Sequence, residues 1–182
     1  MELGMNEITL HDLVFVPFIS AKEIEATVES LAKKLDHDYA GKHPTLLVVL
    51  NGAFVFAADL VRKISIPIHI DFVKLSSYSG MGSSGKMTEH FTWQSSFRNK
   101  HVIIVEDIVD TGHTLSFLKN KISEENPASL EVTCLLFKPG AYQYQDAIHY
   151  KGHAIPNDFV VGYGLDYDGL GRNLDCIYRK KN

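Results

Sequence analysis

Cysteine is scarce in this chain: Cys134 and Cys176 stand apart, without the spacing of a metal site, and a chain of this size needs no disulfide. No Lys/Arg block occurs and the formal net charge is −4, so the electrostatic footprint of general nucleic-acid or anionic-membrane binding is missing. No apolar run approaches the length that spans a bilayer, and residues 1–18 lack a basic region followed by a long apolar core. The expectation is a cytoplasmic protein with no nucleic-acid and no membrane partner. The nine histidines are scattered; His149 and His153 lie four apart, but Gly152 and Pro156 weaken any helix presenting both, so zinc is not expected. What remains is 182 residues, 45% hydrophobic and 22% charged, which suit one globular domain over 1–182 with a sizeable core.

The most informative stretch is 102–115. Val102, Ile103, Ile104 and Val105 form an apolar run without alternation, the pattern of a strand buried on both faces of a parallel sheet. Glu106, Asp107 and Asp110 then place three carboxylates at the strand's carboxyl end, the edge where open α/β sheets bind ligands. Acids so close repel one another unless a cation or a set of hydroxyls shares their charge. Thr111, Gly112, His113 and Thr114 lead into Leu115, where a helix is expected to begin. Glycine lets the backbone approach a ligand closely, and free N–H groups with two threonine hydroxyls at a helix N-terminus make a phosphate cradle. Acids and phosphate donors on one loop suit a phosphorylated sugar. Each feature alone also fits an ordinary α/β loop, and it is their order that points to a ligand. Aspartic proteases share the triplet Asp110-Thr111-Gly112 but need a second copy, and this chain has none.

The flanking sequence supplies the frame. Residues 13–18 read as a short strand interrupted by Pro17. Ser20 and Glu23 form a capping box, and Ile24, Val28, Leu31 and Leu35 recur at helical spacing. A second buried strand over 46–50 is followed by Asn51-Gly52 and a helix over 53–63. A strand over 66–75 runs into a Ser/Gly-rich segment, in which 80–87 matches a Walker A loop except at Met87; its flanks are not strand and helix, which excludes an ATPase. A helix over 115–122 and a strand over 130–137 follow, and the strand ends at Lys138. By physics alone Phe159 could be core and Asp166 a turn residue.

Val105-Glu106-Asp107-Ile108-Val109-Asp110-Thr111-Gly112 resembles the 5-phosphoribosyl-1-diphosphate (PRPP) motif of the type I phosphoribosyltransferases, and is especially similar to their hypoxanthine-guanine branch. Together with matches at Leu50, Lys138, Phe159 and Arg172, the resemblance covers most of the chain. It implies an α/β fold, a mainly parallel central sheet flanked by helices, with a small hood formed by both chain ends. The implied reaction moves the phosphoribosyl group from PRPP to hypoxanthine or guanine, giving IMP or GMP and diphosphate. Glu106, Asp107, Ile108, Val109, Asp110, Thr111, Gly112, His113, Thr114 and Leu115 would bind PRPP or the nucleotide phosphate, with Asp110 as catalytic base. Leu50, Asn51, Gly52, Ser77, Tyr78 and Arg172 would meet the diphosphate, Ser77 and Tyr78 opening a lid. The family usually has Leu-Lys-Gly, with a non-proline cis peptide, where this chain has Leu50-Asn51-Gly52, and Phe-Arg-Asp-Leu where this chain has Gly171-Arg172-Asn173-Leu174. Lys138 would donate to the purine 6-oxygen, Phe159 would stack on the base and the Val160 backbone would meet its edge. Glu106, Asp107 and Asp166 would hold Mg2+, and the family implies a homodimer or homotetramer. The alternatives are transfer to another base, or a non-catalytic PRPP-sensing regulator of RNA.

Overall fold

The computed structural model describes residues 6–77, 89–90 and 93–181. Tyr78 and the Walker-like residues 80–87 lie outside the described residues. The elements run β1 (Ile8–Leu10), β2 (Leu13–Ile19), α1 (Ala21–Asp38), β3 (Thr45–Leu50), α2 (Phe54–Lys63), β4 (His69–Lys74), β5 (Ser76–Ser77) and β6 (Glu89–His90). They continue as β7 (His101–Val109), α3 (His113–Ser123), β8 (Ser129–Phe137), β9 (Tyr150–Ala154), β10 (Val160–Val161) and β11 (Ile177–Lys180).

Five strands in the order β4-β3-β7-β8-β9 make an entirely parallel sheet, and β7 lies in its centre. Val102, Ile103, Ile104 and Val105 are fully buried because the pleat sends them alternately into two cores. Ile103 and Val105 pack with Ile24, Val28 and Leu35 of α1 and Phe56 and Leu60 of α2. Val102 and Ile104 pack with Leu115, Leu118 and Ile122 of α3 on the opposite face. Burying each such side chain is worth about 1.5–3 kcal/mol, so the sheet is held from both sides. At the start of α1 the capping box forms: the Ser20 N–H donates to Glu23 Oε2 at 2.9 Å and the Glu23 N–H to Ser20 Oγ at 3.3 Å.

A second, antiparallel sheet, β1-β2-β11-β10, joins the two ends of the chain. Pro17 does not interrupt β2. Pairing with β1 ends at Phe15, so one side of β2 has no ladder to break there, and the β11 register shifts alongside. Its core of Phe15, Val161, Cys176 and Tyr178 is separate, while Val160, Tyr163 and Ile177 share the core of α1 and α2. That sharing seats this hood beside the carboxyl edge of the parallel sheet.

Candidate active site

Parallel pairing sets what meets at that edge. Leu50 ends β3, Val109 ends β7 and Phe137 ends β8, so Asn51, Asp110 and Lys138 emerge side by side, and the Lys138 N–H donates to Val109 O at 2.9 Å. The sequence suggested that β7 stops before its acids. Instead it runs to Val109, Glu106 pairing opposite Cys134 of β8: pairing with β3 ends at Val105, but the ladder with β8 continues to Val109 and outweighs the charge at the strand's end. Consequently the acids are separated rather than clustered. Glu106 lines a small pocket of about 90 Å³ with 108–115, whereas Asp107 lines a second cavity of about 290 Å³.

Both carboxyls are out of water. Burial, reinforced by the charge of Asp107, pushes Glu106 well above the usual carboxylate range, and its buried Oε2 has no hydrogen-bond partner among the described residues. Burial likewise pushes Asp107 up to about 6, against the opposing pull of the Ile108 N–H at 2.8 Å and of Arg172. Asp107 lies directly over Gly52: a Cβ there would come within 1.7 Å of Asp107 Oδ2, so any other residue in the turn after β3 would have to displace that carboxylate. The peptide before this turn, Leu50–Asn51, is cis.

The loop beyond β7 enters α3 through Gly112, which has φ of 85° and serves as the N-cap without a side-chain capping bond. The helix starts at His113, two residues earlier than its apolar pattern suggests, since glycine turns the chain before Leu115 reaches the core. Its first N–H groups and the Thr111 and Thr114 side chains line or border the small pocket.

The second cavity is lined by Gly52, Asp107, Ile108, Asp110, Lys138, Phe159, Val160, Leu165, Asp166 and Arg172. Lys138 is buried and its Nζ lies 2.6 Å from Asp110 Oδ2, whose side chain is half-exposed. Phe159 is 42% exposed although Phe15 and Tyr167 pack against it at 6.0 and 5.7 Å between centroids, which leaves a ring face open. Val160 lies on β10, an edge strand of the hood, so one side of its backbone is not used by β11. Arg172 is held by Gly164 O at 2.6 Å and Asp166 Oδ1 at 2.7 Å, and Asp166 Oδ2 accepts the Gly169 N–H at 2.8 Å. Ser77 sits in the two-stranded ribbon β5-β6, paired with Glu89.

Two features carried no local signal. Gly164 has φ of 101° and a Cβ there would come within 2.2 Å of Gly52 O, so this glycine lets the hood loop touch the turn after β3. Tyr142 and Tyr144 pack on the loop around Gly112; only the fold brings them there. A larger cavity of about 650 Å³ lies between α1, α2 and residues 172–175, lined by Ile24, Val28, Phe54, Tyr163 and Leu174. Among the described residues it shares only Arg172 with the cavity that holds Asp107 and Asp110.

A family profile described as the phosphoribosyl transferase domain matches residues 20–168, most of the chain. The chain belongs to the phosphoribosyltransferase family. It is 41% identical over 166 residues to the hypoxanthine-guanine phosphoribosyltransferase of Mycobacterium tuberculosis, covering 87% of this chain and 82% of that protein. The Streptococcus pneumoniae enzyme of the same name is also 41% identical, over 87% of this chain and 89% of its own. Among solved structures, a hypoxanthine-guanine phosphoribosyltransferase from Bacillus anthracis superposes with a TM-score of 0.82 at 37% identity, covering 90% of this chain and 96% of that one. A hypoxanthine phosphoribosyl transferase from Trypanosoma cruzi gives 0.83 at 33%, covering 96% and 95%. The parallel five-stranded sheet with its flanking helices is therefore the type I phosphoribosyltransferase fold in this chain.

Proposed function

We propose that this phosphoribosyltransferase moves the 5-phosphoribosyl group from PRPP to hypoxanthine or guanine, releasing diphosphate and forming IMP or GMP. The observation that carries this reading is the pairing of Lys138 with Asp110 in one cavity with the open ring of Phe159, beside a helix N-terminus. A purine stacked on Phe159 has its 6-oxygen within the province of Lys138, an obligate donor, and its edge toward the Val160 backbone. Lys138 thus favours an oxo purine over an amino purine, whose exocyclic group is itself a donor. The 5-phosphate sits on the amides of 110–115 and the Thr111 and Thr114 hydroxyls.

Glu106 and Asp107 take the ribose hydroxyls, which relieves a buried carboxyl without a partner and one pushed up by burial. Arg172 and the turn Leu50-Asn51-Gly52 meet the diphosphate, with Ser77 and Tyr78 at the mouth of the lid. As the anomeric C–O bond breaks, its electron pair leaves with diphosphate and the purine nitrogen bonds to a cation-like sugar carbon. Carboxylates near that carbon favour its charge. Asp110, freed as the incoming 6-oxygen takes over the Lys138 donor, takes the proton that the purine ring gives up.

The donor set of Glu106, Asp107 and Asp166 is oxygen only, as a hard cation requires, yet no group of three or more potential ligands forms a metal cage among the described residues. Mg2+ would be held by these carboxylates together with oxygens of the substrate. When bound it would neutralise charge on the diphosphate. On this reading the chain works as a homodimer or homotetramer in the cytoplasm.

The deciding assay follows absorbance with PRPP against hypoxanthine, guanine, xanthine and adenine, with and without magnesium. Magnesium-dependent turnover of hypoxanthine or guanine but not adenine is expected. Turnover of none, with PRPP still bound, would place the chain among PRPP sensors instead.

A further inference from the structure

A short segment after β8 links the two halves of the site. It opens with Lys138, turns back at once, with the Ala141 and Tyr142 N–H groups both donating to Lys138 O at 3.1 Å, and then crosses the loop that leads into α3. The Gln143 N–H donates to Thr111 O at 3.2 Å. On either side of that bond lie two rings: a Cβ added to Gly112 would come within 2.5 Å of the Tyr142 ring and 2.9 Å of the Tyr144 ring. Each ring is itself held. Tyr142 stands edge-on to Phe137 at 5.4 Å between centroids, and its hydroxyl donates to Asp146 Oδ1 at 2.9 Å, Asp146 being paired with Lys119 of α3. The Tyr144 hydroxyl and His113 Nδ1 are 2.9 Å apart.

Gly112 sits at a positive φ with little of its own to fix it, and a glycine there has more conformations open to it than any other residue. A phosphate cradle needs its N–H groups aimed before the ligand arrives, because each alternative loop shape lowers apparent affinity by the fraction of time spent in it. The side of the loop toward which a Gly112 Cβ would point is covered by the two tyrosines, and neither of them is among the residues, 108–115 with Glu106, that line the phosphate pocket.

We propose that Tyr142 and Tyr144 are positioning residues that clamp the phosphate-binding loop around Gly112 in its receptive shape. This rests on the phosphate role given to that loop above. The clamp is built on the same turn as Lys138, so the residue that selects the base and those that fix the phosphate loop share one short hydrogen-bonded segment.

The test compares Tyr142→Ala, Tyr142→Phe and Tyr144→Ala with the unaltered chain in three readouts: steady-state kinetics, calorimetric binding of ribose 5-phosphate, and thermal unfolding. If removing the ring leaves the loop competent about a tenth of the time, Tyr142→Ala raises KM for PRPP about tenfold and weakens ribose 5-phosphate by the same factor. KM for the base stays within about twofold, and Tyr142→Phe, which keeps the ring, recovers most of the loss. Tyr144→Ala shifts the same two quantities in the same direction and carries the test alone if Tyr142→Ala does not fold. Folded variants with a lower unfolding temperature but unchanged KM for PRPP and unchanged ribose 5-phosphate affinity would overturn the clamp. An unaltered chain inactive with every base would sink the proposed reaction, while ribose 5-phosphate binding still reports on the clamp.

Discussion

Replacing Asp110 by Asn separates base chemistry from binding. Asp110 Oδ2 lies 2.6 Å from Lys138 Nζ; Lys138 is 9% exposed at its side chain and Asp110 47%. Asparagine keeps the shape and offers an amide oxygen to the ammonium, so Lys138 loses a charge partner but not an acceptor. Because one partner is half in water, the ion pair is screened and its loss costs about 1 kcal/mol rather than the larger sum for a fully buried pair. In a chain of this length that lowers the unfolding temperature by about 2–4 °C. The amide cannot take a proton, and a general base is worth about 10²–10⁴ in rate. The expected result is therefore a kcat reduced by about 10²-fold or more, with KM for PRPP moved only a few-fold and a small, separate loss of stability. Rapid-quench single turnovers locate the loss in the chemical step rather than in product release. Equal losses in PRPP affinity and in the chemical step would refute the base assignment and leave Asp110 as a positioning group.

Asp107, buried and pushed up to about 6 from 3.8, binds its proton more tightly folded than unfolded, so it favours the fold below pH about 4 and that contribution is lost as pH rises through about 6. Asp107→Asn should consequently stabilise the chain by up to about 3 kcal/mol at pH 7.5 in chelator-containing buffer, the gain vanishing near pH 4 while activity is lost; denaturant melts at both pH values check it. Gly52→Ala brings a Cβ within 1.7 Å of Asp107 Oδ2 and must displace that carboxylate, so kcat/KM for PRPP should fall about 10²-fold; retained activity in the initial-rate assay would show that Asp107 moves freely. Lys138→Gln replaces a charged donor by a neutral one and should cost hypoxanthine about 10-fold or more in kcat/KM while narrowing the gap to adenine, measured by competition between the two bases.

Much of this was written locally. The unbroken apolar run at 102–105 dictates a strand buried on both faces, and no tertiary context was needed to see it. Ser20 and Glu23 name the start of α1 because a capping box is satisfied within one turn. The PRPP motif, Lys138 at a strand end and Phe159 before β10 were likewise readable as candidates, since residue type and order are local properties.

Other facts depend on the sheet. Glu106 and Asp107 are neighbours in sequence, yet the pleat of a strand extended by its pairing with β8 sends them into different pockets. Lys138 finds Asp110 because two parallel strands end together, a register that no window around either residue contains. Gly164 against Gly52, and Tyr142 and Tyr144 against Gly112, are contacts across separate segments. The sequence by itself determined which chemical groups this protein has and in what order they leave the sheet, because propensity, capping and hydrophobic period act over a few residues. Only the tertiary structure decided which of them meet and which lose their water, because burial and pairing are set by strand register and by the hood that the two chain ends build together.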